Sequence, residues 1–416
     1  MLVVIPMAGL GSRFADFGFK TNKYLLPIDS KLTPMIHEAV KTIGASEDAK
    51  FVFVIRRDQV ADVEPVVASL NLPNFHVHVI DEMTDGPAST VYELRELLET
   101  DEELIVSNSD QVLEWNFDAF IETARGYDGC VLTYNPKYDL ELGDIDKHSF
   151  IAKDENGKIV KVAEKRVLSL DALVGVHYYT QARHFLRAYE YMILHNIRAP
   201  NGEFYMSNSY QALLELGYNV GNHALSSHEN FWPVGEPMDY FAFLKKNGWE
   251  LKKHAFDGAP ILFISTPGSY KLSGVLGYIE GPSAGLITRI NGKFEIGEGE
   301  SCVFVKQDVY FASTHVANFI RGWFIGNFEP SIHKTREYEV GILHKSKTDP
   351  LDFHYHKEAT EYNVFVKGDM EINGEKLTPG QHFILDRNQT SCPIFHEDSI
   401  VLCVKLPSAP ADKYAI

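Results

Sequence analysis

The first residues of the chain that suggest chemistry form a glycine loop after an apolar run. The sequence VVIPMAGLGSRF places Ala8, Gly9, Gly11 and Ser12 behind a β-rich segment, and Arg13 closes the loop. Glycines let the backbone N–H groups of a loop approach phosphate oxygens, and a nearby cation neutralises their charge. We therefore expect the loop to bind the phosphates of a nucleotide.

Two familiar phosphate-binding patterns fit this loop poorly. A dinucleotide fold needs a third glycine where this chain has Phe14, and a P-loop needs a lysine followed by serine or threonine. The remaining interpretation is a loop that works with two cations, Arg13 and Lys23. Each of these alone would also fit a solvated surface charge, so the interpretation depends on the residues that follow.

A second set of chemically capable residues lies near the C-terminal end. The sequence FHYHKEATEYNVFVKG carries His354, His356 and Glu361 in a β-rich context. Side chains at positions i and i+2 of a strand share a face, so the two histidines are expected to point the same way. Two imidazoles and a carboxylate suit zinc, iron, manganese or nickel.

The elements that must position the N-terminal residues alternate between strand and helix up to about residue 250. Apolar runs such as LVVIPM, FVFVIR, HVHVI and ELIVS read as strands, while TPMIHEAVKTI and STVYELRELLET have helical spacing. This order predicts an α/β fold with a Rossmann-like, mostly parallel sheet. Ligands bind at the carboxyl ends of such strands, where both the glycine loop and the Asn108-Ser109-Asp110 tip lie.

The last part of the chain has a different texture. From Ala259 onward, short strands and turns predominate, and Asn291-Gly292 and Asn373-Gly374 each predict a hairpin turn. We expect a separate all-β unit here. In the tail VKLPSAPADKY we identify no chemistry.

Composition limits the partners. The formal net charge of -18 over 416 residues argues against nucleic acid, because a phosphate backbone needs a basic surface. No apolar run reaches the length of a membrane span, and the start of the chain lacks the features of a signal peptide. We expect a cytoplasmic protein without a membrane span.

The opening pattern resembles a known family. Ala8-Gly9-Leu10-Gly11-Ser12-Arg13-Phe14 with Lys23-Tyr24-Leu25-Leu26-Pro27 is similar to the signature of the sugar-phosphate nucleotidylyltransferases, also called nucleotide-sugar pyrophosphorylases. Further stretches follow in that family's order, and these are TDGPASTV with Gly86, SNSDQ with Asp110, VAEK with Glu164 and Lys165, LVGVHYY with Gly175, NGEFY with Glu203, and FWPVGEPMDY.

The resemblance implies a role for each of these residues. Arg13, Lys23 and Lys165 would be catalytic, and Asp110 would bind Mg2+. The nucleoside triphosphate would be bound by Ala8, Gly9, Gly11, Ser12 and Gly86, and the phosphorylated acceptor by Glu164, Gly175 and Glu203. One position departs from the pattern, because Pro233 stands where many members carry a second metal-binding aspartate; Glu236 or Asp239 could replace it, or Asp110 could act without a second carboxylate.

The C-terminal set resembles the first cupin motif. His354, His356, Glu361 and Gly368 match H-x-H-x4-E-x6-G, which implies a cupin-type β-barrel and a transition-metal site. The second motif lacks its histidine in NQTSCP, so His396 becomes the candidate fourth ligand, and His382 fits less well. We expect three regions, namely a nucleotidylyltransferase domain at 1–250, a β-rich connection or degenerate first cupin repeat at 251–318, and a cupin-like barrel at 319–416.

These resemblances predict an enzyme that transfers a nucleoside monophosphate to a sugar 1-phosphate or similar small phosphate, for cell-surface polysaccharide assembly. A homo-oligomer joined through the cupin region is expected. Three alternatives stay open at this point, which are a glycosyltransferase that uses nucleotide sugars, a bifunctional enzyme whose cupin isomerises or epimerises the sugar, and a non-catalytic nucleotide-binding module. The base and the acceptor are not readable from the sequence.

Overall fold

The structure is a computed structural model. It describes residues 1–46, 48–136 and 148–249, the backbone of the strands between 261 and 306, and residues 320–331 and 334–416. The chain divides into two compact units, and their chain segments interleave. The first unit comprises Met1–Ser12, Asn22–Leu26 and Thr33–Asp239, and the second comprises Arg13–Thr21, Pro27–Leu32 and Tyr240–Ile416.

The first unit is built on strands. They are β1 Leu2–Pro6, β2 Lys50–Arg56, β3 Phe75–Ile80, β4 Leu104–Ser107, β5 Gln111–Glu114, β6 Gly129–Tyr134, β7 Ser149–Lys153, β8 Ile159–Glu164, β9 Ala172–Tyr179, β10 Val220–Ala224 and β11 Asn230–Pro233. Nine of them form one sheet in the order β10-β6-β9-β4-β1-β2-β3, with β7 and β8 attached beside β9. A separate antiparallel pair joins β5 to β11.

The sheet contains both parallel and antiparallel pairs because of the connection from β6 to β9. β1 pairs in parallel with both β2 and β4, and these strands are apolar almost throughout, as expected when helices cover both faces. β9 instead runs antiparallel between β4 and β6. The chain reaches β9 from β6 by way of the antiparallel strands β7 and β8, where a parallel return would need a crossover connection.

Helices cover both faces of this sheet. Along the chain, the helices of the described residues are α1 Ser12–Phe17, α2 Met35–Ile43, α3 Val60–Ala68, α4 Pro87–Tyr92, α5 Arg95–Leu98, α6 Phe117–Ala124, α7 Ala182–His195, α8 Met206–Glu215 and α9 Pro237–Lys246, and most of α1 and α9 belongs to the second unit. One buried cluster packs the sheet against α4, α7 and α8, and the other packs it against α2, α3 and α6. Among the described residues, no helix is both long and apolar enough to cross a membrane.

The second unit continues as an all-β region. Its strands are β12 Ile261–Ile264, β13 Gly268–Ser273, β14 Val275–Glu280, β15 Gly285–Thr288, β16 Asn291–Ile296, β17 Ser301–Lys306, β18 Trp323–Ile325, β19 Glu339–Lys345, β20 His354–Tyr355, β21 Thr360–Lys367, β22 Met370–Ile372, β23 Glu375–Leu377, β24 His382–Leu385, β25 Pro393–Phe395, β26 Ser399–Leu406 and β27 Tyr414–Ala415. Among the strands that the structure describes in this unit, the largest sheet has five, in the order β18-β19-β26-β21-β24. The predicted order of a Rossmann-like α/β region followed by an all-β region is confirmed.

One of the two predicted Asn-Gly hairpins is correct. Asn373 and Gly374 have φ values of 49° and 74° and join β22 to β23, as a tight turn requires. The hairpin at Asn291-Gly292 is wrong, because both residues lie inside β16, which pairs with β13. Pairing with a distant strand overrode the local turn signal at that position.

A buried histidine in β9 predicts acid sensitivity of the first unit. Burial lowers the pKa of His177 to about 3, and its Nδ1 has no hydrogen-bond partner. In the unfolded chain, the His177 imidazole takes up a proton below its ordinary pKa of about 6.5, whereas in the folded chain it stays neutral. The free energy of unfolding therefore falls as the pH decreases from about 6.5 towards 3.

We expect a His177→Phe variant to lose less stability than wild type over this pH range, measured by urea unfolding at pH 7 and pH 4. The exposed His195 provides the control, since His195→Phe should leave the pH dependence unchanged. Equal slopes for His177→Phe and wild type would contradict the assignment.

Candidate active site

The predicted phosphate loop and the Asp110 tip lie at one edge of the sheet. Because β2 and β4 flank β1 on opposite sides, the chain leaves β1 at a switch in strand order, where α/β sheets bind ligands. The loop after β1 begins with buried Ala8 and continues through Gly9 and Gly11. Gly11 has a φ of 64°, a conformation that favours glycine.

The structure also assigns a support for this loop that the sequence analysis missed. The Arg56 guanidinium, at the end of β2, donates hydrogen bonds to the carbonyl oxygens of Ala8 and Gly9, the latter at 3.1 Å. Asp58 holds the same guanidinium with two bonds of 2.9 Å. An arginine at the carboxyl end of a neighbouring parallel strand was the available signal.

The two residues predicted to carry charge at this edge form an ion pair. Lys23 donates from Nζ to Oδ2 of Asp110, and their side chains are 24% and 17% exposed. A Cβ atom added to Gly11 would lie 3.8 Å from Cγ of Lys23, so the glycine loop approaches the same lysine. The structure therefore brings the loop, the lysine and the carboxylate together.

The late VGE element reaches this site through its backbone. Val234 donates its N–H to the carbonyl oxygen of Asp110 at 3.0 Å, and a Cβ on Gly235 would come within 2.6 Å of Asp110 Oδ2. Pro233 lies in β11 opposite Gln111 and offers no oxygen ligand from its side chain. Magnesium needs only one or two protein carboxylates when substrate phosphates complete its shell, so Asp110 fits such an ion.

Arg13 and Ser12 stand at the start of α1. Both are exposed, and Arg13 falls within the second unit while Ser12 ends a segment of the first. Arg13 takes part in an interaction within the structure. The catalytic role of Arg13 stays a prediction.

Gly175 is explained by close packing. The buried side chain of Gln111 accepts a hydrogen bond from the Gly175 N–H at 3.1 Å and donates one to its carbonyl oxygen at 2.9 Å. A Cβ on Gly175 would overlap the Asn108 side chain and come within 2.7 Å of Gln111 Oε1. Gln111 thus fixes β9 beside the tip that carries Asp110, and although it belongs to the SNSDQ stretch, nothing in the sequence assigned it a role.

The residues predicted to hold the acceptor form a second group in the first unit. Glu164 is buried, and its carboxylate accepts hydrogen bonds from the hydroxyls of Ser149 and Ser207. Lys165 has a φ of 55° and donates its backbone N–H to the carbonyl oxygen of His148 at 3.0 Å. The turn at Lys165 places its Nζ 5.3 Å from the centre of the Tyr205 ring.

Gly86 and Glu203 meet beside this group. A Cβ on Gly86 would lie 2.8 Å from the Phe204 carbonyl oxygen and 3.0 Å from Glu203 Cβ, which explains the glycine. The neighbouring Tyr205 hydroxyl has a pKa raised to about 12 by burial and by the Glu203 carboxylate. The acceptor group therefore joins two carboxylates, a phenol and one ammonium.

The C-terminal candidates also come together in part. One ligand atom from each of His354, His356 and Glu361 lies within 4.8 Å of the others, and all three residues are buried. His354 Nδ1 faces the Asp352 carbonyl oxygen at 2.7 Å, and His356 Nδ1 contacts that of Asp412. Each Nδ1 therefore faces a carbonyl oxygen as a donor, so Nε2 is the nitrogen that each ring would offer to a metal.

His396 does not join these three residues. Its side chain is 45% exposed, and its Nε2 lies 3.6 Å from the Glu371 carboxylate. The position of His396 at the end of β25 and its backbone bond to Asp369 direct it elsewhere. The structure does not support the predicted fourth ligand.

The tail, where we identified no chemistry, holds the anchor of this cluster. The Asp412 carboxylate accepts backbone hydrogen bonds from Lys357, Glu358 and Ala359 at 2.8 to 2.9 Å. Together with the contact from His356, these bonds fix the turn between the histidines and β21. A single aspartate in a proline-containing tail carries no sequence signal for such a role.

A buried lysine balances the charge of the C-terminal cluster. Glu361 on β21 and Glu339 on β19 are both register partners of Lys405 on β26, so the three side chains share one face. Lys405 Nζ lies 3.7 Å from Glu361 Oε1. Burial alone would raise the pKa of Glu361, but His356 and Lys405 hold it well below its ordinary value.

Similar solved structures are nucleotidyltransferases over the N-terminal part of the chain. A nucleoside-diphosphate-sugar pyrophosphorylase from Vibrio cholerae RC9 is 24% identical, with a TM-score of 0.50, over 58% of this chain and 99% of that one. An inositol-1-phosphate CTP transferase from T. maritima is 14% identical over 59% and 95%, with a TM-score of 0.46. The first likeness shows a common fold. No protein-family model and no curated protein matches the sequence.

We predict that Gln111→Leu destabilises the first unit by about 2 kcal/mol, because it leaves the Gly175 N–H unpaired and removes one of the two hydrogen bonds to the Gly175 carbonyl oxygen. Thermal unfolding measures the change. Gln211→Leu, which removes one bond to the Val162 N–H at 3.0 Å, is the matched control and should cost less. Equal losses of stability in the two variants would argue against the role of the hydrogen bonds between Gln111 and Gly175.

Proposed function

We propose that the N-terminal α/β region transfers a nucleoside monophosphate from a nucleoside triphosphate to a phosphorylated small molecule. The observation that carries this proposal is the Lys23–Asp110 pair beside the glycine loop, at the switch point of the sheet. The fold shared with the Vibrio cholerae pyrophosphorylase supports it. The domain limits near residues 250 and 318 are part of the same proposal.

The chemistry asks for positive charge more than for a base. A phosphate oxygen of the acceptor attacks the α-phosphorus, the bond from that phosphorus to the bridging oxygen breaks, and pyrophosphate leaves. Lys23 and Arg13 would stabilise the α-phosphate and the departing pyrophosphate, while Lys165 would hold the acceptor phosphate. Magnesium held by Asp110 would supply further positive charge to the triphosphate.

The acceptor group restricts what the small molecule presents. Glu164 has its carboxylate engaged by two hydroxyls, so its oxygens are already fixed in place. Glu203 and Tyr205 add acceptors and a donor for hydroxyl groups, which suits a sugar phosphate. A sugar 1-phosphate is therefore the first acceptor class to try, within a route to cell-surface polysaccharide.

Release of pyrophosphate tests the function directly. We expect release with one nucleoside triphosphate, Mg2+ and one member of a panel of sugar 1-phosphates, and at least an approximately 100-fold lower kcat/KM in Lys23→Gln, as for loss of one transition-state donor. Lys20→Gln is the matched control, because Lys20 is exposed and only three residues away.

Other results would favour the alternatives. Sugar transfer from a nucleotide sugar without pyrophosphate release would favour a glycosyltransferase. Binding of nucleotide with no turnover on any acceptor would favour a non-catalytic module. Unchanged pyrophosphate release in Lys23→Gln would remove the residue on which the proposal depends.

We also propose that the all-β region is cupin-like and that His354, His356 and Glu361 bind one transition-metal ion. Their mutual distances, their burial and the donor set of two imidazoles and one carboxylate fit such an ion. Such an ion would supply a Lewis acid to that site, where isomerisation or epimerisation of a sugar is the finer hypothesis. A cytoplasmic location and a homo-oligomer remain predictions, the latter checked by light scattering.

Metal content separates the two histidine candidates. After loading with Zn2+, Mn2+, Ni2+ or Fe2+ and dialysis, we expect about one equivalent per chain by elemental analysis. His356→Gln should lose the metal, whereas His396→Gln should keep it, because His396 faces Glu371. Loss of metal in both variants, or none in wild type, would contradict the three-residue site.

A further inference from the structure

The chain segment that carries Arg13 packs into an aromatic cluster of the second unit. Arg13–Thr21 groups with the C-terminal residues in that unit. The ring of Phe353 lies 5.0 Å from the ring of Phe19 and 6.0 Å from that of Phe17, measured between centroids. Phe353 is 2% exposed and Phe19 is 4% exposed, so the contact is fully buried.

Backbone contacts hold the same segment. Lys20 donates its N–H to the Ile416 carbonyl oxygen at 2.9 Å, and Ile416 donates its own N–H to the carbonyl oxygen of Phe353 at 3.1 Å. Gly18 has a φ of 116°, and a Cβ there would overlap the side chain of Leu351. Side-chain and backbone contacts to residues 351–353 and to Ile416 therefore define the path of this segment.

The cluster reaches Arg13 through its neighbour. Phe14 is 1% exposed, and its ring lies 5.1 Å from Phe19 and 6.0 Å from Tyr240. Helix α1 has only six residues, too few to be stable without tertiary packing. The direction in which the exposed Arg13 leaves the helix is thus set by what packs against Phe14 and Phe19.

We propose that Phe353, from the all-β region, is a positioning residue for Arg13 in nucleotidyl transfer. The inference rests on the proposed function, and it gives the C-terminal region a part in that reaction that no motif implies. Phe353 acts through the packing of Phe19 and Phe14, and it does not touch substrate. Its loss lets the Arg13 segment move while the glycine loop and Lys23 keep their own supports.

A double-mutant cycle on the full chain tests this inference. We expect Phe353→Ala to lower kcat/KM for the nucleoside triphosphate about tenfold in the wild-type background. In an Arg13→Gln background the same change should cost less than about twofold, because the group being positioned is gone. Phe353→Leu, which keeps an apolar side chain, should restore most of the activity.

Phe365→Ala separates positioning from general loss of stability. Phe365 is a fully buried phenylalanine on β21, and its removal should destabilise the unit comparably while leaving kcat/KM of the folded protein within about twofold. Each variant is assayed below its thermal transition. Equal losses from Phe353→Ala in the two backgrounds, or an equal loss in Phe365→Ala, would overturn the inference.

Hydrogen exchange keeps the inference testable if the proposed function fails. If wild type releases no pyrophosphate with any acceptor, the proposed function fails on its own. Phe353→Ala should still raise amide exchange across residues 13–21 above that in Phe365→Ala. Unchanged exchange there would overturn the positioning role independently of any activity.

Discussion

The ion pair between Lys23 and Asp110 is the contact on which the candidate site depends. It joins residues 87 positions apart, and the sheet must place the end of β4 beside β1 for the pair to form. Both side chains are partly buried, so each charge stabilises the other at this position. The approach of Gly235 leaves no room for a side chain beside the carboxylate.

The backbone at each candidate site is held by a polar residue that takes no part in the proposed chemistry. Gln111 fixes the backbone of Gly175, Arg56 holds the glycine loop, and Asp412 fixes the turn after His356. In each case a side chain satisfies backbone groups that would otherwise be costly to bury. These three side chains therefore fix the backbone that carries the candidate reactive groups, and the reactive groups need not contact one another to be held in place.

In the C-terminal cluster, oppositely charged side chains compensate the cost of burying a carboxylate. Glu361 lies between His356 and Lys405, which together compensate a buried carboxylate. Glu339 faces the same lysine from the other side, and burial raises its pKa. Glu339, Lys405 and Glu361 thus form a row of side chains of alternating charge type across three neighbouring strands.

The sequence alone determined the order of α/β and all-β regions and most of the candidate residues, because apolar period, strand ends and glycine positions are local signals. It could not identify Gln111, Arg56, Asp412 or Lys405, since their partners are distant along the chain. It also misjudged Asn291-Gly292 and His396, where strand pairing and a neighbouring glutamate decided the outcome. The grouping of Arg13–Thr21 with C-terminal residues belongs entirely to the tertiary structure, because only packing brings Phe19 against Phe353.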